Sequence, residues 1–189
     1  MNSSHIDHSK KRKVLLAWYN MIPNLIWSIL NLTPIIIFCF TVIELKLIYI
    51  FLAISAVPLF FKNSFINSLQ IGKTTKTYKK LGVHLINRVS QNGDIINNLL
   101  RRKFPEHKIL APNKRSVIAL VNQTYVFEKF HWVLFLFFSL ITGYCIYFGY
   151  WLWAPVILLT NLAYNIYPVF LQQYIRLKLS LFIKTKERR

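Results

Sequence analysis

Apolar residues fall in three long runs that contain no charged side chain. These runs cover Val14 to Ile43, Leu47 to Phe61 and His131 to Ile175. A helix needs about 20 mostly apolar residues to cross the hydrocarbon core of a bilayer. The first run therefore predicts one transmembrane helix, the second predicts a shorter one, and the third is long enough for two.

The third run contains a turn signal near its middle. Gly149 lies within a cluster of Tyr and Trp residues, and Pro155 follows closely. Aromatic rings with Gly and Pro are typical of a turn at the lipid headgroup level. The sequence thus predicts an all-α integral membrane protein with one membrane domain over residues 1–189. The four transmembrane helices are expected at about 21–43, 47–66, 130–148 and 153–174.

The basic residues predict the orientation of these helices. The chain has 24 Lys and Arg against 6 Asp and Glu, and its formal net charge is +18. All the basic residues except Lys46 lie before the first helix, from Lys62 at the end of the second helix to Lys129, or after the fourth helix. The positive-inside rule therefore predicts a multi-pass protein of the cell membrane with both termini cytoplasmic.

The same charge distribution predicts the partners. Because the basic residues flank apolar spans, their distribution fits anionic lipid headgroups, an anionic substrate such as an acyl-coenzyme A, or control of topology alone. We expect membrane lipids as partners and expect no nucleic acid partner. The sequence leaves the oligomeric state open.

The segment over residues 67–129 is predicted to be a basic, partly helical cytoplasmic loop. Asp94 can cap a short amphipathic helix, and Arg101, Arg102 and Lys103 follow at its C-terminal end, where the helix dipole favours cations. This pattern predicts a helix in the membrane interface. A solvated linker with a few anchoring leucines is the alternative. After Pro112 a further helix is expected to continue into the third span.

Polar side chains form one face on each of the last two predicted helices. Such residues are costly inside a membrane and usually face the interior of the helix bundle. On the third helix, Thr124, Glu128 and His131 are spaced i, i+4 and i+7. On the fourth helix, one face carries Asn161, Asn165, Pro168, Gln172 and Arg176.

These two faces should meet, because the third and fourth helices form an antiparallel hairpin. Glu128 and His131 are then expected near Gln172 and Arg176. A carboxylate one turn from a histidine can orient the imidazole and raise its basicity. Arg176 could pair with Glu128 or bind an anionic group of a substrate. Alternatively, Glu128 and Arg176 form a helix-end ion pair, and His131 anchors the helix beside Trp132.

A metal site is not expected. The pattern Glu128-x-x-His131 is half of a di-iron carboxylate motif, but the chain has only one copy and six acidic residues in all. We also expect no bound cofactor.

Three blocks of sequence resemble the glycosyl-4,4'-diaponeurosporenoate acyltransferase family of bacterial carotenoid biosynthesis, over about Tyr78 to Leu179. They are Tyr78-Lys-Lys-Leu-Gly-Val83, then Thr124-x-x-x-Glu128-x-x-His131-Trp132, then Asn165-x-x-Pro168-x-x-x-Gln172-Gln-Tyr174-Ile-Arg176-Leu-Lys178-Leu179. The chain departs from the family in the third block, where Gln173, Ile175 and Lys178 replace Arg, Asn and Arg.

The resemblance implies an acyltransferase of the bacterial inner membrane that moves a fatty acyl group to a hydroxyl of a lipid-like or glycolipid acceptor. The distribution of basic residues and the positions of the two polar faces predict that this site lies at the cytoplasmic face. His131 would be the general base, and Glu128 would hold its ring. The substrate-binding residues would be Arg176, Gln172 and Tyr174 for the donor or its oxyanion, and Asn165 and Thr124 from the two polar faces. Arg101, Arg102 and Lys103 would attract the phosphates of acyl-coenzyme A or a similar donor.

Two other functions remain open from the sequence. One is a non-catalytic small membrane protein, for instance a lipid-binding or assembly subunit. The other, a transporter, is less favoured because four spans leave little room for a pathway and no inverted repeat is visible.

Overall fold

The computed structural model describes residues 2–89, 98, 102 and 114–187, and the described part is helical with no strand. Three helical stretches are long and apolar enough to cross a membrane: Ala17–Val42, Val117–Tyr147 and Trp153–Ile183. The helices are α1 Asn2–Val42, α2 Leu45–Ser55, α3 Asn63–Ser68, α4 Thr75–Lys80, α5 Val83–Val89, α6 Lys114–Tyr147, α7 Trp153–Asn161 and α8 Tyr167–Glu187.

The second apolar run forms a helix of only 11 residues, α2. Its last turn precedes Pro58, which has no backbone N–H for an α-helical bond, and the chain continues as a 3₁₀ turn over Val57–Phe60. The apolar helical segment Leu45–Phe60 is shorter than the three candidate spans. A full crossing by this segment, and with it the count of four spans, stays a prediction.

The turn between α6 and α7 is closed by Gly149. Its φ of 77° lies in the left-handed region, which glycine adopts without steric penalty. The N–H of Tyr150 donates to the carbonyl of Cys145 at 2.8 Å, and that of Gly149 donates to Ile146 at 3.4 Å. This pair of bonds is a Schellman motif. It reverses the chain, so α7 and α8 run back along α6.

A π-helical turn separates α7 from α8 and changes which residues face α6. It covers Leu162–Ile166 and closes i to i+5 hydrogen bonds, so this turn takes in an extra residue. A straight α-helix would direct Gln172 inward together with Asn165. In the structure Gln173 is fully buried and Gln172 is half-buried.

Two clusters of buried side chains hold the helices together. The larger lies between α1, α2, α6 and α7 and includes Phe38, Ile141, Cys145 and Ile157. Phe38 is fully buried, and its ring centroid lies 5.4 Å from those of Tyr150 and Trp153. The smaller cluster fixes α4 and α5 to α8 through Tyr78, Val83, Leu171 and Tyr174.

The short helices α4 and α5 are joined at Gly82, whose φ is 74°. This left-handed residue ends α4 and lets α5 start in a new direction. Both helices pack on α8. The amphipathic helix predicted after Asp94 lies outside the described residues, apart from positions 98 and 102.

Candidate functional site

The polar faces of α6 and α8 meet in a buried ion pair. Arg176 Nη1 lies 2.7 Å from Glu128 Oε2, and both side chains are buried. The same nitrogen lies 3.4 Å from Thr124 Oγ1. The guanidinium also stacks over the ring of Tyr125, 4.1 Å from its centroid, where a cation gains from the ring's electron density. The ring of Tyr125 therefore covers one face of the Arg176 guanidinium, and Glu128 and Thr124 contact its Nη1.

The second oxygen of the Glu128 carboxylate is held by α8. Gln173 Nε2 donates to Glu128 Oε1 at 2.7 Å, and the carbonyl end of Gln173 accepts from the hydroxyl of Tyr78 at 2.9 Å. Tyr78 is fully buried at the inner face of α4. Burial raises the pKa of its hydroxyl above the ordinary value, because a phenolate would lose its hydration. The segment between α2 and α6 thus contributes a residue to the site.

His131 lies one turn further along α6 and faces other partners. Its ring meets Tyr164 edge-on at a centroid distance of 6.1 Å, and Asn165 lies beside it. The Asn165 amide nitrogen donates to Asn161 Oδ1 at 2.8 Å. The described contacts of Glu128, by contrast, are with Gln173, Arg176 and the neighbouring Trp132.

Buried polar atoms without a full hydrogen bond concentrate at this place. In the described part of the chain there are seven, and six belong to residues of α6, the π-helical turn and α8 around the ion pair. Proteins rarely leave such atoms unsatisfied, because each costs about 1–3 kcal/mol. They are His131 Nδ1, Trp132 Nε1, Asn165 Oδ1, Arg176 Nε, Arg176 Nη2 and Glu128 Oε2, of which the last is held by its ion pair with Arg176 and not by a hydrogen bond.

We call the set Thr124, Glu128, His131, Asn165, Gln173 and Arg176 the polar seam. It offers the imidazole of His131, the Nε and Nη2 edge of the Arg176 guanidinium, and the amide oxygen of Asn165, all buried away from water. This combination suits proton transfer next to a developing negative charge. Within the described residues, no group of three or more His, Cys, Asp or Glu side chains could hold a metal ion.

Of the other expected site residues, Tyr174, Gln172 and Arg102 are described by the structure. Tyr174 packs against Tyr78 in the smaller cluster, with ring centroids 6.4 Å apart. Gln172 is half-buried on α8, and Arg102 is exposed. Arg101 and Lys103 lie outside the described residues.

Three residues of the site were not among the expected ones. Gln173 was missed because the π-helical turn shifts the inward face of α8 by one position. Tyr78 was part of the block resembling the family, and its full burial could not be inferred from that short basic segment. Tyr164 is an aromatic residue within an apolar span, where nothing in the local pattern distinguishes it from lipid-facing neighbours.

The polar seam and the segment that carries Tyr78 both fall within a known family pattern. The family model of glycosyl-4,4'-diaponeurosporenoate acyltransferase matches residues 62–185, about two thirds of the chain. The chain belongs to this family. Searches among curated proteins and among solved structures found no match.

Membership in the glycosyl-4,4'-diaponeurosporenoate acyltransferase family indicates acyl transfer in carotenoid biosynthesis, and the apolar helices agree with a membrane acyltransferase. The matched region begins at Lys62 and so includes α3 to α8 but neither α1 nor α2.

Proposed function

We propose that this protein transfers a fatty acyl group to a hydroxyl of a glycolipid-like acceptor, such as a carotenoid glycoside, at the polar seam. The observation that carries the proposal is the concentration of buried, incompletely bonded polar atoms in the part of the chain that matches the acyltransferase family. A seam with only a structural role would be expected to satisfy its own polar groups.

His131 is the general base in this proposal. It takes the proton from the acceptor hydroxyl, whose oxygen then attacks the carbonyl carbon of the donor. The sequence suggested that Glu128 would hold the imidazole. Since both oxygens of Glu128 face Gln173 and Arg176, we assign Glu128 to Arg176 and give Asn165 the task of orienting the ring.

Arg176 binds the acyl donor, and Gln172 and Tyr174 line the approach along α8. Acyl-coenzyme A or a similar molecule is the donor we propose. Its phosphates would be attracted by Arg101, Arg102 and Lys103, which follow one another in the basic segment. The positive-inside distribution of Lys and Arg supports a site that is reached from the cytoplasmic side.

The experiment is profiling of pigments and lipids in a host strain that lacks the gene. The strain is complemented with the wild-type gene, with His131→Ala, with Arg176→Lys, or with the control Val126→Ala, which changes an exposed apolar residue of α6. We expect the wild type and the control to restore an acylated carotenoid glycoside. The strain that carries His131→Ala should accumulate the unacylated glycoside, while the variant protein remains folded in the membrane.

Two results would argue against the proposal. If His131→Ala restores the acylated product fully, His131 is not the base. If deletion removes the product but neither His131→Ala nor Arg176→Lys reduces its restoration, the protein is better explained as a non-catalytic assembly subunit. Protein amounts must be matched by immunoblot, because an unstable variant also loses product.

A further inference from the structure

A continuous chain of two buried hydrogen bonds and one ion pair connects α4 to Arg176. It runs from the Tyr78 hydroxyl to Gln173 Oε1 (2.9 Å), from Gln173 Nε2 to Glu128 Oε1 (2.7 Å), and from Arg176 Nη1 to Glu128 Oε2 (2.7 Å). Tyr78, Gln173 and Glu128 are fully buried, and Arg176 is 4% exposed. Three helices, α4, α6 and α8, therefore fix the position of one guanidinium.

The direction of each hydrogen bond in this chain is set by its Arg176 end. A guanidinium only donates, so the Glu128 carboxylate beside it acts as an acceptor and is ionised in the pair. Gln173 then presents its NH₂ group to Glu128 and its carbonyl to Tyr78. The Tyr78 hydroxyl also lies 3.1 Å from the carbonyl of Gly72, so it sits between two acceptors and keeps its proton. Burial favours the same protonated form by raising the pKa of Tyr78.

An ionised Glu128 cancels the charge of Arg176. The pair therefore holds no spare positive charge for a permanently anionic ligand. A carboxylate or phosphate placed on Arg176 Nε and Nη2 would leave one uncompensated negative charge in a buried site, which is strongly unfavourable. An uncharged carbonyl oxygen can accept the same N–H groups without that penalty.

We propose that the Nε and Nη2 edge of Arg176 is a subsite for the uncharged carbonyl oxygen of an ester or thioester, and that Tyr78 and Gln173 are the positioning residues that maintain it. The inference rests on the proposed acyl transfer and specifies which part of the donor reaches the seam. The charged part of a donor such as acyl-coenzyme A binds elsewhere.

The charges balance through the reaction at this subsite. The acceptor hydroxyl gives its proton to His131 and its oxygen bonds to the carbonyl carbon, so the carbonyl electron pair moves onto oxygen. The resulting oxyanion at Arg176 is matched by the new imidazolium at His131. When the carbonyl re-forms, the bond to the leaving thiolate or alkoxide breaks, and that group takes the proton from His131. The seam is electrically neutral at every stage, which favours the charge-separated state over a bound anion.

The test measures the carbonyl directly and does not need turnover. The full-length protein in lipid nanodiscs is incubated with a long-chain methyl ketone that carries an isotope-labelled carbonyl, and the carbonyl stretch is recorded by infrared difference spectroscopy. In the wild type we expect a shift to lower wavenumber, and roughly 10-fold tighter binding than that of an alkane of equal length. Arg176→Lys should remove most of the shift.

Tyr78→Phe tests the positioning role. It deletes one hydroxyl and should reduce the carbonyl shift, while Tyr167→Phe, a matched change at an exposed tyrosine of α8, should leave the wild-type spectrum. Gln173→Leu should behave like Tyr78→Phe. If Gln173→Leu does not fold, Tyr78→Phe alone decides the matter.

Three outcomes would overturn the inference. They are a fatty carboxylate that displaces the ketone at lower concentration than the matching methyl ester, a carbonyl shift unchanged in Arg176→Lys, and a shift unchanged in Tyr78→Phe.

Competition by a phospholipid ester and by an acyl thioester identifies the source of the carbonyl. A shift without acyl transfer in the host would contradict the proposed function alone, whereas acyl transfer without a shift would contradict only the subsite.

Discussion

The buried surface that α6 presents between Thr124 and Cys145 has two ends with opposite kinds of contact. Around Phe138, Ile141 and Cys145, which we call the apolar end, α6 packs against α1, α2 and α7 through hydrocarbon and aromatic rings. Around Glu128 and His131, which we call the polar end, the same helix packs against α8 through charges and amides. In the described part of the chain, six of the seven incompletely bonded buried atoms lie at the polar end and none at the apolar end.

The apolar contacts mainly stabilise the fold, whereas the polar contacts provide the chemical groups. Close packing of apolar side chains contributes at each contact and needs no particular partner chemistry. Buried polar groups contribute little net stability and become expensive when one partner is removed. One helix therefore provides the anchor at one end and a reactive, preorganised environment at the other.

The largest effect is expected from breaking the ion pair. Glu128→Ala leaves the guanidinium of Arg176 buried without its counter-charge, which should destabilise the folded state by about 3–5 kcal/mol. Thermal unfolding in detergent and the yield of folded protein measure the loss. Glu128→Ala combined with Arg176→Leu should recover much of the stability but no activity, because neither charge is then left alone. A double variant as unstable as the single one would contradict this account.

The apolar end should respond in the opposite way. Ile141 is fully buried, and Ile141→Ala should lower the free energy of unfolding by about 2–5 kcal/mol through lost packing and the cavity it leaves. The acyl transfer rate per folded molecule should stay at the wild-type level. His131→Ala should instead lower the rate by about 100- to 10,000-fold with little change in unfolding temperature. If both variants lose rate per folded molecule equally, the two ends are not separable.

A smaller effect is expected where the two ends of α6 adjoin. Asn161 donates to the Phe135 carbonyl at 3.1 Å and to Ser139 Oγ at 3.2 Å, and it accepts from Asn165. Interhelical hydrogen bonds in membranes contribute about 0.6 kcal/mol on average and up to about 1.7. Asn161→Ala should therefore cost about 1–2 kcal/mol in unfolding experiments. It should also lower activity several-fold, because Asn165 loses the partner that holds it beside His131.

Asn161→Leu provides the control for this change. It restores apolar volume but no hydrogen bond. Recovery of stability without recovery of activity would assign Asn161 to positioning, and recovery of both would show that it only fills space.

Spacing alone was sufficient to predict much of this arrangement. Thr124 and Glu128 are spaced i, i+4 and so share one face of a helix. The antiparallel arrangement of the last two predicted helices then placed this face opposite Arg176. The glycine and aromatic cluster located the turn at Gly149. These features depend on residues close together in sequence or on a regular helix, and both can be read from a single chain.

The remainder depends on tertiary structure. Gln173 replaces Gln172 because one π-helical turn interrupts the regular period, and no residue type in Leu162–Ile166 signals it. Tyr78 reaches Gln173 across 95 positions of sequence. Asn165, and not Glu128, lies beside the imidazole of His131. The packing of α6 against the π-helical turn determines which side chain is its neighbour. Contacts of this kind follow from packing and not from local pattern.

The smallest effect concerns the helix that the family match does not cover. Ser28 on α1 lies 2.9 Å from the hydroxyl of Tyr164, and the Tyr164 ring contacts His131. If α1 supports the polar end through this bond, Ser28→Ala and Tyr164→Phe should each cost about 0.6 kcal/mol, and the double variant should cost no more than either one.

Activity should follow the same pattern, with a similar few-fold loss in each single variant and in the double variant, because a freed Tyr164 ring no longer restrains the imidazole. Additive losses of stability and rate would mean that Ser28 and Tyr164 act independently. In that case α1 would belong with the apolar end of α6 alone, through Phe38 and its ring contacts. Non-additive losses would make α1 part of the acyltransferase site, although the family match begins only at Lys62.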